Sequence, residues 1–370
     1  MKLLYITNQI SGPGGLERVL SIKASYFADA YGYDVHVLTM NDTPGQLFFK
    51  FSPSIQIHNI QVPSNKLGYV RSYISKINQT IQNVSPDLIL VCDDGLKGLL
   101  FPVLMKTKVP LIYERHVSKE VAKGTGPNTL LNRLKTRIIY SLMKWGGQKF
   151  NAFVVLTQGN LKEWDLSNTT VIPNPLPFDK GKVSTLENKT VIAVGKQSFQ
   201  KGYDRLIESW KEVHKSFPEW ELHIYGSEHP QKETEKHVES LQLSHSIKLF
   251  QPVRNIREKF TESSIHVLSS RYEGFGMVII EAMACGLPSV SFDCPYGPSD
   301  IIENGKNGFL IPNGDIEALG QSLIDIIGDS EKRKKMGAYA FESVDRFEMP
   351  VIGKHWKDLF EQLTHNKQRS

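Results

Sequence analysis

The 370-residue sequence has few cysteines and no long apolar run, and each of these features restricts the classes of protein to which it can belong. The three cysteines, Cys92, Cys285 and Cys294, show no CxxC or Cys/His metal spacing, which favours reduced thiols in a cytoplasm over a disulfide framework. No run approaches the ~18 apolar residues that a membrane span requires. Residues 1–7 lack the apolar region and cleavage site of a signal peptide, so we expect a cytoplasmic protein.

Motifs of several functional classes are also missing. The glycine-rich loop at 11–19 is not GxGxxG, and no acidic residue stands convincingly about 20 positions later, as a nicotinamide-binding fingerprint requires. Asp93 and Asp94 follow a predicted strand but lack the context of a metal-binding Asp-x-Asp pair, so we expect no metal and no cofactor. No nucleic-acid-binding motif is present, and nucleic acid therefore ranks last among the partners.

The length and the periodicity of the chain predict two α/β domains. A chain of 370 residues favours two domains of roughly 150–200 residues each. Short β-branched runs alternate with amphipathic stretches, which is typical of parallel sheets covered by helices. The breaker-rich segment 173–181 interrupts this pattern and predicts a linker. We therefore predict two doubly wound Rossmann-like domains at 1–175 and 176–348, with the carboxyl ends of their strands facing a central cleft.

The same patterns predict the individual elements. Strands are predicted at 3–7, 34–40, 55–60, 87–92, 110–115, 152–156, 170–172, 191–195, 220–226, 247–250, 265–269, 289–292 and 308–311. Helices are predicted at 16–31, 69–84, 96–106, 129–145, 203–217 and 231–243, and from residues 277, 315, 330 and 349 onward.

The charge is concentrated in one segment. Residues 101–150 hold 10 Lys+Arg against 2 Asp+Glu, while the whole chain has a net charge of +5. Such a patch implies an anionic partner. Within it, 129–149 has apolar residues at helical spacing and a basic polar face. Two interpretations stay open: a core-packed helix with solvated cations, or contact with an anionic membrane surface, where each basic residue contributes about 1 kcal/mol.

The most informative segment is 271–288, which places Glu273 and Glu281 around a glycine-flanked start of an apolar helix. A helix start offers free N–H groups to phosphate, and a carboxylate can accept hydrogen bonds from sugar hydroxyls. The Glu-x7-Glu spacing alone is weak, because charged residues are common and two solvated acids would explain it. Gly274 and Gly276, which permit close backbone approach to a ligand, strengthen the functional interpretation.

The string Arg271-Tyr-Glu-Gly-Phe-Gly-Met-Val-Ile-Ile-Glu281-Ala-Met-Ala-Cys-Gly-Leu-Pro resembles the signature of the retaining GT-B glycosyltransferases of family 4, of the bacterial cell-surface polysaccharide type. The resemblance implies that Glu281 holds the ribose hydroxyls of a nucleoside diphosphate and that Glu273 contacts the donor sugar. It implies that backbone N–H groups at Gly274, Phe275, Gly276 and Met277 meet the donor. It also implies a GT-B fold whose closing helix, within 349–370, crosses back to the N-terminal domain.

A second motif, residues 195–204, follows a predicted strand and opens a helix. Lys196 and Lys201 can converge there on a diphosphate through charge-assisted hydrogen bonds, although isolated lysines are usually solvated. The family usually shows Gly-Arg and then Lys-Gly here, which implies donor contacts from Gly195 as well. Lys196 stands where Arg is common, so bidentate geometry is exchanged for a point charge.

Two N-terminal loops carry the remaining candidates. The loop 11–19 resembles the family's Gly-Gly-x-Glu-Arg element, which implies that Gly14 and Gly15 approach the donor phosphate; a plain strand–helix turn is the alternative. His116 follows the predicted strand 110–115, and the resemblance implies that it contacts the transferred sugar.

Together these features imply a retaining, metal-independent hexosyltransferase. It is expected to move a hexose or N-acetylhexosamine from a nucleotide-sugar donor, with UDP favoured, to a glycan or lipid-linked acceptor in capsule or lipopolysaccharide synthesis. The protein is then expected to be cytoplasmic or peripheral on the inner face of the plasma membrane. Two alternatives are a nucleotide-sugar epimerase, which would need no acceptor, and a non-catalytic nucleotide-sugar-binding protein, against which the intact Glu273, Glu281 and Lys201 argue.

Overall fold

A computed structural model describes residues 1–42, 47–119 and 129–367, so residues 368–370 of the predicted closing segment lie outside it. The chain folds into two compact units. Unit 1 consists of Met1–Pro177 together with Met349–Ser370, and unit 2 consists of Phe178–Glu348. Unit 1 is therefore assembled from two separate segments of the chain.

Unit 1 is built on one parallel sheet. Its strands are β1 (Lys2–Thr7), β2 (Asp34–Met40), β3 (Gln56–Ile60), β4 (Leu88–Cys92), β5 (Leu111–Glu114), β6 (Ala152–Val155) and β7 (Thr169–Val171). They lie in the order β3-β2-β1-β4-β5-β6-β7, and all adjacent pairs are parallel. The central strand β4 is buried along its whole length, as expected where helices cover both faces of a parallel sheet.

Helices on both faces of this sheet complete the core of unit 1. They are α1 (Gly15–Tyr31), α2 (Lys66–Val84), α3 (Leu96–Leu99), α4 (Phe101–Leu104), α5 (Leu130–Gly147), α6 (Gln158–Trp164) and, from the end of the chain, α14 (Met349–Lys367). Helix α14 buries Ile352, Trp356 and Phe360 in the same apolar cluster as Phe27 of α1. The Phe27 and Phe360 ring centroids are 5.1 Å apart.

Unit 2 is a second parallel sheet with its own helices. The strands are β8 (Thr190–Val194), β9 (Glu221–Tyr225), β10 (Ile247–Phe250), β11 (Ile265–Leu268), β12 (Ser289–Asp293) and β13 (Gly308–Pro312), in the order β10-β9-β8-β11-β12-β13. The helices are α7 (Tyr203–Ser216), α8 (Glu233–Ser240), α9 (Ile256–Thr261), α10 (Met277–Met283), α11 (Pro298–Ile301), α12 (Ile316–Gly328) and α13 (Ser330–Ser343). The prediction of two doubly wound α/β sheets is confirmed.

A few predicted elements differ from the structure. The helix predicted over 96–106 is wrong: Leu100 ends α3 and caps α4, and Pro102 occupies the first turn of α4, where its missing N–H is tolerated. The helix predicted over 231–243 is shorter, since α8 spans Glu233–Ser240. The short helices α6, α9 and α11 were not predicted, because four to seven residues are too few for a helical period to show.

Candidate functional site

The candidate residues of unit 2 lie where the winding of its sheet reverses. Strands β8 and β11 are neighbours in the middle of the sheet, and successive strands run outward from them in opposite directions. The loop 195–202 follows β8, and the loop 269–276 follows β11. Because both loops leave the carboxyl ends of adjacent parallel strands, they meet at the position where open α/β sheets bind ligands.

Glu273 and Lys201 form the ion pair at the centre of this site. Lys201 Nζ lies 2.7 Å from Glu273 Oε1, and Ser270 Oγ donates to the same oxygen at 2.6 Å. The side chains are only 16% and 9% exposed, respectively, so water screens the pair weakly. Two residues that the sequence analysis placed on separate motifs are therefore in direct contact.

The charges of this pair act on their neighbours. Burial and the Glu273 carboxylate raise the pKa of the Tyr203 phenol, whose hydroxyl donates to Gly195 O at 3.0 Å. Burial and the Lys201 ammonium lower the pKa of His266 on β11 to about 3, which keeps this imidazole neutral. Burial, with the Glu273 charge, also raises the pKa of the Cys294 thiol.

Gly195 provides the space that the Lys201 side chain needs. The backbone of Gly195 has a φ of 151°, which L residues rarely adopt, and an added Cβ would lie 2.6 Å from Lys201 Cε. Lys196, the next residue, is exposed at the surface of the same loop. The structure thus brings Gly195, Lys201 and Glu273 together, while Lys196 lies beside them without a described contact to either charge.

The turn from Glu273 into α10 is held by the loop that follows β12. Glu273 N donates to Pro295 O at 2.8 Å, and Tyr296 N donates to Glu273 O at 3.1 Å. An added Cβ on Gly297 would lie only 1.9 Å from Phe275 O, so this glycine allows the two backbones to touch. The loop 294–297, between β12 and α11, therefore supports the backbone of the candidate donor-binding residues 274–277.

Glu281 lies in the last turn of α10 and is buried, being 3% exposed. Gly276 begins this helix with a φ of 95°, and Phe275 is buried beside it. Met277 is the first residue of the helix. The second carboxylate of the motif is therefore part of the protein interior rather than a solvated acid.

Arg271 joins the two loops, a role that the sequence analysis missed although the residue opens the quoted motif. Its Nη1 and Nη2 donate to the two carboxylate oxygens of Asp204 at 2.9 and 2.6 Å, and Nη1 also donates to Phe199 O at 2.7 Å. Although partial burial opposes it, the Arg271 hydrogen bonds lower the pKa of Asp204. The available signal was the pairing of a cation and an acid on two loops expected to converge.

The candidates in unit 1 centre on the end of β5. His116 Nε2 lies 3.5 Å from Glu114 Oε2, and His116 N donates to Asp94 Oδ1 at 2.9 Å. The same Glu114 oxygen is paired with Lys23, a lysine on α1 that is 1% exposed. Burial disfavours the charged form of Glu114, but Lys23 and His116 outweigh it and lower the pKa to about 2.

This buried pair was not predicted from the sequence. Lys23 Nζ also lies 4.1 Å from the ring centroid of Trp356, which α14 contributes to unit 1. A lysine on the buried face of an amphipathic helix was the available signal, since such a residue requires a partner. The acid that serves as partner comes from a strand 91 positions later, which no local pattern reveals.

Gly14 and Gly15 lie at the start of α1. Gly14 is the N-cap, and an added Cβ there would lie 2.3 Å from Glu17 Oε2, whereas the Gly15 position is open. Gln9 Nε2 donates to Glu17 Oε1 at 3.0 Å. The structure therefore gives a local packing reason for Gly14 and none for Gly15.

Three other features of the described ranges bear on the chemistry. No group of three or more His, Cys, Asp or Glu side chains there is placed to hold a metal ion. None of the helices in those ranges has the length and apolarity needed to cross a bilayer. Cys92, Cys285 and Cys294 are free and buried.

The sequence of the chain is similar to those of known glycosyltransferases, both within unit 2 and over nearly its whole length. Residues 178–343 match the family model described as "Glycosyl transferases group 1". An uncharacterized glycosyltransferase of Haemophilus influenzae is 28% identical over 97% of this chain and 99% of its own length. The amylovoran biosynthesis glycosyltransferase AmsD of Erwinia amylovora is 27% identical, with the same two coverages of 97% and 99%.

Among solved structures, a mutant of S. aureus TarM in complex with fondaparinux, α-GlcNAc-glycerol and UDP matches with a TM-score of 0.80. The identity is 16%, and the match covers 97% of this chain and 100% of that one, so the likeness concerns the fold. The match to the glycosyltransferase group 1 model covers most of unit 2, and the predicted GT-B fold is confirmed.

Proposed function

We propose that this chain is a retaining glycosyltransferase of family 4 that uses the Glu-x7-Glu motif of Glu273 and Glu281. It moves a hexose or N-acetylhexosamine from a nucleoside diphosphate sugar to a glycan or lipid-linked acceptor in the cytoplasm. The nucleotide of the donor is UDP. The observation that carries this proposal is the weakly exposed Lys201–Glu273 pair at the reversal point of the sheet in unit 2, within the matched segment.

The donor diphosphate is proposed to bind Lys201, with Lys196 and the backbone N–H groups of residues 274–277. Bond breaking at the anomeric carbon leaves negative charge on the diphosphate, and preorganised cations and amides at low exposure stabilise that charge effectively. Arg271 and Asp204 hold the two loops together, so Lys201 is positioned before the donor arrives. Glu281 is assigned to the ribose hydroxyls and Glu273 to the sugar hydroxyls, because ionised carboxylates accept such hydrogen bonds.

The mechanism we propose needs no enzyme nucleophile, metal or cofactor. The bond from the anomeric carbon to the leaving phosphate oxygen breaks, and the acceptor oxygen attacks from the same side. The leaving phosphate takes the acceptor proton, which gives a nucleoside diphosphate and a product with retained configuration. Glu273, whose oxygen already accepts from Lys201 and Ser270, acts in sugar binding rather than as a base.

In unit 1 we assign contact with the transferred sugar to His116 and approach to the donor phosphate to Gly14 and Gly15. The Glu114 carboxylate holds the His116 imidazole through Nε2, and Lys23 in turn holds Glu114. This arrangement orients the imidazole ring, while the backbone N–H of His116 donates to Asp94 Oδ1. Unit 1 is also assigned the variable acceptor.

The place in surface polysaccharide synthesis is supported by the relatives. AmsD is named for amylovoran biosynthesis, and the matching TarM structure contains UDP together with a GlcNAc-glycerol molecule. These names concern those proteins, and they favour a UDP-sugar donor and a cell-surface glycan acceptor for this chain.

The test is a donor panel followed by an acceptor panel. The full chain is incubated with UDP-, GDP- and ADP-linked hexoses and N-acetylhexosamines, and thermal stabilisation and nucleotide release are measured with and without EDTA. Lipid-linked and soluble glycans are then added, and the anomeric configuration of the product is read by NMR. We expect UDP-sugar binding, acceptor-dependent release of UDP, a retained anomer and no effect of EDTA.

Matched variants sharpen the test. Lys201→Ala should lower turnover by about two to three orders of magnitude, the range seen when one transition-state contact is removed. Lys215→Ala, a lysine of the same unit whose side chain is 78% exposed, serves as the control and should keep normal turnover. Interconversion of the donor without acceptor would instead indicate an epimerase. Donor binding without turnover on any acceptor would indicate a binding protein, and normal turnover in Lys201→Ala would contradict the site assignment.

A further inference from the structure

Helix α5 carries a second apolar face that its own unit leaves exposed. Leu134, Ile138, Leu142 and Trp145 are 56%, 53%, 40% and 45% exposed. At 3.6 residues per turn these four side chains fall within an arc of about 80° around the helix axis. Exposed large apolar residues are normal when single, but four in one stripe indicate an interaction surface.

This stripe is not the face by which α5 packs on unit 1. Met143 is buried in the core cluster, and Ile139 and Tyr140 pack against it. Met143 lies about 140° around the helix from the centre of the exposed stripe. The helix thus packs one side against the core of unit 1 and exposes a separate apolar side. Packing against the core therefore does not by itself explain the apolar residues of α5.

Cations border the exposed stripe, and one of them, Lys144, is paired with the exposed Asp165 at 3.0 Å. Residues 129–149 contain no Asp or Glu and contain five basic residues, which are Arg133, Lys135, Arg137, Lys144 and Lys149. On the helical projection Arg133, Arg137 and Lys144 lie along one border and Lys135 lies along the other, while Lys149 follows the last residue of α5 by two positions. The Lys149 ammonium is 5.9 Å from the Trp145 ring centroid.

An apolar stripe with tryptophan, bordered by cations on a helix that itself carries no acid, has the chemistry of a helix that lies in a lipid headgroup layer. The core of a protein interface is usually depleted of charge, whereas Lys135, Arg137 and Lys149 lie around this stripe and favour an anionic surface. We propose that α5 docks the chain on an anionic phospholipid bilayer, with Leu134, Ile138, Leu142 and Trp145 inserted and the basic residues among the headgroups.

The core-packed side of α5 is connected to the candidate site of unit 1. Tyr140, on α5, donates its hydroxyl to Lys119 O at 3.1 Å, in the segment that follows His116 by three residues. Lys119 N in turn donates to Glu163 of α6 at 2.9 Å. The helix that we assign to the bilayer is therefore linked, through hydrogen bonds on its core-packed side, to the segment that follows His116.

Tryptophan fluorescence reads this face specifically. The chain has five tryptophans, and Trp164, Trp210, Trp220 and Trp356 are all at most 4% exposed, which leaves Trp145 as the exposed one. The full chain is titrated with vesicles of phosphatidylcholine alone and of phosphatidylcholine with phosphatidylglycerol at seven to three. We expect a blue shift and protection from acrylamide only with the anionic vesicles, and no change in the Trp145→Phe variant.

Two pairs of variants test the two components of binding. Leu134→Ser with Ile138→Ser should abolish vesicle partitioning, whereas the matched exposed pair Val70→Ser with Val103→Ser should leave it intact. Lys135→Gln with Arg137→Gln should weaken partitioning by about 25-fold, since each cation near an anionic surface contributes about fivefold. All these residues lie at the surface, so far-ultraviolet circular dichroism and transfer to a soluble acceptor should be unchanged.

Several outcomes would overturn the proposal. An unchanged Trp145 spectrum would do so, as would equal partitioning onto neutral and anionic vesicles or undiminished binding by the serine pair. Self-association in ultracentrifugation that the serine pair abolishes would assign the face to a second copy of the chain instead. The proposal is independent of glycosyl transfer, so loss of activity on every acceptor would leave the vesicle result standing.

Discussion

The Lys201–Glu273 pair allows its structural and chemical contributions to be separated by a double-mutant cycle. Lys201→Met removes the cation and leaves a carboxylate whose side chain is 9% exposed, to which the Ser270 hydroxyl still donates. Removing one member of a buried pair costs about 3–5 kcal/mol, and the partial exposure of Lys201 points to about 3. Glu273→Gln should cost about 2 kcal/mol, because the remaining ammonium can reach water more easily.

The double variant Lys201→Met, Glu273→Gln leaves no uncompensated charge, and we expect it to be about 2 kcal/mol less stable than the wild type. The coupling energy is then about 3 kcal/mol, at the upper end for residues in contact. Because the two units need not unfold together, the measurement is native-state hydrogen exchange of the β8 and β11 amides rather than a global melt.

Turnover should not follow stability in this cycle. All three variants should lose at least about a hundredfold in rate, because the double variant restores a neutral interior but no phosphate ligand or sugar-binding carboxylate. Stability changes that add within about 0.5 kcal/mol would refute the buried pair. Recovery of turnover in the double variant would show instead that the two residues serve only to hold the loops.

Three further predictions follow from single side chains. Glu114→Gln should destabilise unit 1 by about 3 kcal/mol in hydrogen exchange, because a buried ammonium loses its partner; a change below about 0.5 kcal/mol would contradict this. Burial first, and then the nearby ammonium, lower the His266 pKa to about 3, so only the unfolded state gains a proton between pH 6.5 and 3. The free energy of unfolding, measured in urea, should therefore decrease as the pH is lowered from 6.5 to 3. Its slope should exceed that of His266→Gln by up to about 1.4 kcal/mol per pH unit. Gly297→Ala should disrupt the contact with Phe275 O and lower the thermal midpoint well below that of Gly305→Ala, where a φ of 80° is the only obstacle.

The fold was largely predictable because its signals are local. Strands such as β4 are continuous apolar runs, and their observed bounds differ from the predicted ones by one or two residues. The alternation of strands and amphipathic helices was enough to predict doubly wound sheets. The broken helix at Leu100 shows the limit, since the apolar period continues through Pro102 although the backbone cannot remain one helix.

The candidate site was predictable where its residues follow adjacent strands. Loops after β8 and β11 had to meet, so Lys201 and Glu273 were expected near one ligand, although their direct ion pair was not expected. Lys23 and Glu114 were missed because their pairing depends on how α1 packs across β5, which is a tertiary feature. The assigned roles of the site residues stay predictions that the experiments above test.

The discontinuity of unit 1 has a consequence for how the chain matures during synthesis. Everything that unit 2 needs has been translated by Glu348, whereas the first unit lacks Ile352, Trp356 and Phe360 until α14 leaves the ribosome. Until then the Trp356 ring does not cover Lys23, and part of the α1 surface remains exposed to solvent. On the nascent chain we therefore expect unit 2 to complete its fold before unit 1, which still lacks α14. This order is the reverse of the order in which the two units begin to be translated.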